Sequence, residues 1–122
     1  MGLTAIAAGR DAIIIDRLAL TDPLLARFPP RPQLAVLGMM DHFKREVPQG
    51  YKVARRSDTL EKMHPELRAY YEPLQRILRD PLFSAERLRT IVDFYLGRYD
   101  AHLDAYIEHR RKRGKSFMGA RP

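Results

Sequence analysis

Nine prolines punctuate this chain of 122 residues, and they constrain its fold more than any other feature. Each lacks an amide hydrogen and pushes its predecessor away from helical geometry, so few regular elements can run far past one. Between them, apolar residues recur three and four positions apart, the period of a helix face, while strand-like alternation is nearly absent. The expected fold is all-α: a small single-domain helical bundle of four or five helices, with one long C-terminal helix and a basic tail.

Individual segments follow from the same reading. Thr21 or Asp22 is placed to cap a short helix that has Pro23 in its first turn, where the missing N–H costs nothing. Leu24, Leu25 and Phe28 form its apolar face, and Pro29, Pro30 and Pro32 then force an extended connector. Over 33–47, Val36, Met40, Phe43 and Val47 keep one helix face, ended by Pro48-Gln49-Gly50. Tyr51 and Val53 alternate with Lys52 and Ala54, the pattern of a short extended arm. Ser57 or Asp58 opens the next helix, where Asp58 and Glu61 have the spacing of a capping box, and His64-Pro65 interrupts it. Leu67, Tyr70, Tyr71, Leu74, Ile77 and Leu78 continue at helical spacing. An interior proline costs about 3 kcal/mol, so Pro73 predicts a kink or break near Glu72, and Asp80-Pro81 marks a stop.

The last element carries the strongest signal. Ser84 caps it, Glu86 complements the dipole of its first turn, and Leu88, Val92, Tyr95, Tyr99, Leu103 and Tyr106 form one stripe. The cations 110–113 suit a helix C-terminus, and Gly114 is a natural stop. About 28 residues at 1.5 Å each make roughly 40 Å. A helix that long is expected to project from so small a body or to be covered by another chain.

The net charge of +7 is unevenly placed. Arg110, Arg111, Lys112, Arg113, Lys115 and Arg121 face no acid beyond residue 109, whereas residues 1–109 carry 16 cations against 15 acids. The expected division is a near-neutral helical domain, 1–109, and a basic tail, 110–122. A nucleic-acid domain more often spreads its charge over a face, so Arg110, Arg111, Lys112, Arg113 and Lys115 are read as possible anion or partner contacts. There is no cysteine, which excludes disulfides, thiolate metal sites and cysteine nucleophiles. No apolar run approaches the ~18 residues of a membrane span. Residues 5–15 are cut by Arg10 and Asp11 and make a poor secretory signal. A soluble, cytoplasmic protein is expected.

No catalytic constellation emerges from the sequence. Glu61-Lys62-Met63-His64 matches the Glu-x-x-His unit of di-iron helices, but such sites need two copies, and a surface pair is the expected reading. His102 and His109, with Asp104 and Glu108, lack an identifiable third convergent ligand and are read as a solvated face. His42, beside Asp41, is read as a packing histidine. Ser57 and Ser84 sit at cap positions, and there is no nucleophile elbow, phosphate-binding glycine loop or dinucleotide fingerprint. No catalytic, cofactor-binding or metal-binding residue is assigned. Tyr70, Tyr71, Tyr95, Tyr99 and Tyr106 are instead expected to serve a partner interface, because tyrosine is favoured there and five hydroxyls are hard to hide in one small core.

Scattered positions carry a resemblance. His42-Phe43-Lys44 closes a helix, Pro48 is followed by Lys52 and Ser57, then come Asp80-x-x-Phe83-Ser84-x-Glu86 and Val92, Leu96, Arg98 and Asp100. In these the chain resembles the small helical subunit of the N,N-dimethylformamidase family, over about 60% of its length from Pro32 to Tyr106. Ile13-Ile14-Ile15-Asp16 and Asp22-Pro23 fit more loosely, and the cationic tail departs from the pattern. The resemblance implies a noncatalytic subunit that packs on a large catalytic chain. That chain would carry a mononuclear iron and hydrolyse a formamide C–N bond to formate and dimethylamine. The iron and its ligands would belong to the partner. Two rival readings are a small basic nucleic-acid-binding or regulatory protein, and a structural adaptor of a larger assembly.

Overall fold

In the computed structural model of the chain, the residues described are 7, 9, 12–29 and 44–118, with side chains to Gly114. Among them the fold is helical and without strands: a 3-10 turn at Leu25–Arg27, then α1 (Tyr51–Ser57), α2 (Pro65–Arg79), α3 (Ala85–Tyr95) and α4 (Asp100–Met118). The chain divides into two compact units, Met1–Lys62 and Met63–Pro122, and the basic residues from Arg110 belong to the second.

The first unit is organised by two buried carboxylates. Asp16 accepts hydrogen bonds from the amides of Leu18, Leu20 and Thr21, each at 3.0 Å, and from Thr21 Oγ1 at 3.1 Å. Asp22 performs the capping role expected of it, accepting from the amides of Leu24 (3.1 Å) and Leu25 (2.9 Å). It also accepts from the Tyr51 hydroxyl at 2.8 Å, which ties this turn to α1. Leu24, Leu25, Tyr51 and Ala54 are fully buried around that link.

Two local expectations change here. Residues 51–53 begin a helix and not an extended arm: Gly50, at φ 81°, turns the chain, and Tyr51 and Ala54 bury one face of the resulting helix. Asp58, at φ 55°, ends α1 by donating its amide to Ala54, so it does not open the next helix. Of the helix expected over 33–47, residues 33–43 lie outside the described set, and 44–47 are not helical.

The second unit is built on α2. Its N-cap is His64, whose Nδ1 accepts from the Glu66 amide at 3.3 Å, and Pro65 occupies the first turn. Proline suits that position because its absent amide would have no helical partner there. Leu67, Tyr70, Tyr71 and Leu74 are buried on one face at i, i+3, i+4 and i+7, and α2 packs against both α3 and α4. The helix passes through Pro73 without the expected break. Three buried neighbours within three residues anchor the backbone on either side of the lost hydrogen bond. α2 stops at Arg79 before Asp80-Pro81, as expected.

The single long helix expected from Ser84 onward is instead two. Ser84 does cap α3, accepting from the Arg87 amide at 3.2 Å, and Glu86 lies in the first turn. Yet α3 ends at Tyr95, and Gly97 adopts φ +70°. The Arg98 amide reaches the Asp93 carbonyl at 3.0 Å and the Gly97 amide reaches Phe94 at 3.1 Å. This is a Schellman closure, with glycine at its left-handed position. An ion pair between the Arg98 and Asp93 side chains, at 2.7 Å, spans the same turn. α4 restarts at Asp100 and continues past Gly114 to Met118, so Gly114 is not a stop.

Candidate partner-binding face

The helix α3 presents its apolar side outward. Leu88, Ile91, Val92, Tyr95 and Leu96 are all exposed, Tyr95 at 91%. At 100° per residue they span an arc of about 140°, and no charged residue of α3 falls within it. Thr90, on the opposite side, is buried and returns its hydroxyl to the Glu86 carbonyl at 2.7 Å. Phe94 packs edge-on against Tyr70 of α2 at 5.3 Å. The exposed apolar surface continues into the preceding turn through Leu82 (67%) and Phe83 (88%). Helices of surface type normally show the reverse polarity.

The five tyrosines separate on this framework. Tyr70, Tyr71 and Tyr106 are buried within the second unit, at 1%, 1% and 4% exposure. Burial pushes the Tyr106 hydroxyl above its ordinary value, and Arg110 donates to it at 3.5 Å. Tyr99 is half-buried, its ring 4.7 Å from Phe94. Tyr95 alone of the five is displayed in full. The stripe expected to be continuous thus turns over at Gly97: its first half faces out, while Leu103 and Tyr106 face in.

His64, His102 and His109 are drawn to the junction of α2 and α4, while His42, expected to pack, lies outside the described residues. His102 Nδ1 lies 2.6 Å from Glu66 Oε2, and the His109 ring stacks on His64 at 4.5 Å, with Tyr106 5.4 Å from His64. Sequence spacing put His102 and His109 on one face with Asp104 and Glu108; the structure gives each a different partner on or capping α2. Among the described residues no three His, Asp or Glu side chains stand close enough to hold a metal ion. Glu61 of the Glu-x-x-His unit is exposed, whereas His64 is spent on capping and stacking.

Of the basic residues, Arg110 is half-buried, Arg111, Lys112 and Arg113 are exposed, and the Lys115 side chain lies outside the described set. Lys112 pairs with Glu108 at 2.9 Å. That contact, aided by Arg111, holds the Glu108 carboxyl below its usual value. In the first unit an open depression of about 670 Å³ is lined by Arg17, Glu46, Lys52 and Val53 among others, and the described residues of its lining include no histidine or hydroxyl nucleophile.

Sequence reasoning missed Leu82, Phe83, Ile91 and Leu96 as surface residues. The available signal was the all-round mixture of α3, whose apolar residues exceed a single buried stripe. No helix among the described residues is long and apolar enough to cross a membrane. Comparison with protein-family profiles, curated proteins and solved structures finds no match to this chain.

Proposed function

We propose that this chain is a noncatalytic, partner-binding subunit, and that α3 with the turn before it is its docking face. The observation that carries the reading is the outward apolar arc of Leu88, Ile91, Val92, Tyr95 and Leu96, extended by Leu82 and Phe83. Five large apolar side chains exposed on one helix face are the kind of surface that marks an interaction site. A protein that covers this face removes it from water, and a displayed tyrosine makes an effective interface anchor.

The resemblance to the N,N-dimethylformamidase small subunit gives the partner its proposed identity: a large, iron-bearing amide hydrolase chain. In that assembly the small helical bundle contributes surface and order, and the hydrolysis of the formamide C–N bond occurs on the other chain. Tagged full-length protein purified from its host is expected to bring down a stoichiometric large chain containing iron. That complex should release formate and amine from formamides. Leu88→Asp with Tyr95→Asp should lower recovery of the large chain at least tenfold while the circular dichroism spectrum stays unchanged. A lone, metal-free monomer or homo-oligomer would overturn the reading.

A further inference from the structure

The end of α4 bears an imbalance that its own unit does not neutralise. Residues 110–122 hold six of the chain's 22 cations and none of its 15 acids, and the nearest acids before them are Glu108 and Asp104. Five of the six, Arg110, Arg111, Lys112, Arg113 and Lys115, lie on α4, which runs to Met118, and Arg121 lies outside the described residues. Among the described side chains Tyr106 is the last buried one on that helix, and 111–114 are exposed. Residues 111–114 therefore bury no side chain, and burial supplies most helical stability in proteins. Arg110 and Arg113, and Arg111 and Lys115, also stand three and four residues apart, spacings at which like charges repel. The helix dipole favours cations at this end, but an opposing anionic surface would remove the repulsion.

We propose that the cationic end of α4 is an electrostatic docking arm for a carboxylate-rich surface on the protein partner that α3 meets through its apolar face. The proposal rests on the partner-binding reading of α3. A protein surface fits better than a nucleic acid for two reasons. The positive charge is confined to one helix end, where Lys112 is already paired with Glu108, and residues 1–109 are nearly neutral, so it is not spread over a face as nucleic-acid binding favours. The same unit also displays an apolar face that a phosphate backbone does not use. Rim charges of this kind act mainly on association rate and salt dependence.

The test uses the complex purified from the host. Carbodiimide coupling, which joins amines to carboxylates without a spacer, should link Lys112 or Lys115 to Asp or Glu of the large chain, as mapped by mass spectrometry. Arg111→Glu with Arg113→Glu should raise the dissociation constant at least tenfold at about 50 mM salt and flatten its salt dependence, with helicity retained. If Leu88→Asp/Tyr95→Asp breaks the complex but the arginine variant binds normally and no such cross-link forms, the arm proposal alone is overturned. If no large chain accompanies the protein, both readings fall. Micromolar binding of a 20-base-pair DNA duplex, abolished by the arginine variant, would overturn the arm proposal in favour of nucleic acid.

Discussion

Asp16 shows how much a single carboxylate can organise. Its burial pushes its pKa upward, but three amides and the Thr21 hydroxyl outweigh that effect and hold it below the ordinary aspartate value. A carboxyl lowered in the folded state contributes stability that is present at neutral pH and lost as pH falls through the lowered value. Asp16→Asn removes the charge and turns a donor toward amides that need an acceptor. It is expected to cost about 2 kcal/mol at pH 7, measured by urea unfolding followed by circular dichroism. The difference from the parent should shrink progressively below about pH 4; a gap independent of pH would show that the carboxylate charge is not the cause. Asp22 was legible in advance as a cap because its position before Pro23 is local information. Its bond to Tyr51, 29 residues away, was not, since no spacing rule connects a turn to a helix across a connector.

At the level of elements, the boundaries set by proline and by cap residues were the legible ones: Ser84, Pro65 and Asp80 act where their chemistry places them. The break at Gly97 was not legible, because an isolated glycine inside an apolar stripe is compatible with either a continuous helix or a left-handed closure. The choice is made by the backbone bonds of Arg98 and Gly97 to Asp93 and Phe94, and by what each half of the stripe can reach. Alanine at 97 would hold φ near +70° with its Cβ 2.9 Å from the Asp100 carboxylate. The backbone conformation alone costs roughly 1–2 kcal/mol. Gly97→Ala is therefore expected to lower Tm by about 5 °C or more in a calorimetric scan. An unchanged Tm, with helicity preserved, would mean that the α3–α4 turn does not depend on the left-handed residue.

For the whole molecule, the imbalance of surfaces is the dominant fact. The apolar arc of α3 and the cationic end of α4 belong to one compact unit, and neither is the usual finish of a free-standing surface. An isolated chain should bind the apolar dye ANS in its native state. Leu88→Asp with Tyr95→Asp should reduce that fluorescence several-fold without altering the urea midpoint, because both side chains are solvent-facing. A fall in the midpoint would instead place these residues in the protein's own packing.

The sequence by itself determined that the chain is helical, where several of its helices begin and end, and where its excess charge lies. These are properties of neighbouring residues: amide hydrogens that proline lacks, oxygens that cap, and a periodicity of three to four. It did not determine which side of α3 turns inward, nor that Tyr70, Tyr71 and Tyr106 are buried while Tyr95 is not. A helical stripe reports that apolar residues share a face, and carries no record of whether that face meets its own chain, another chain or water. Only packing against α2 settled it, because α2 offers its buried face to Phe94, Leu103 and Tyr106 and leaves the richest apolar arc of α3 unpartnered.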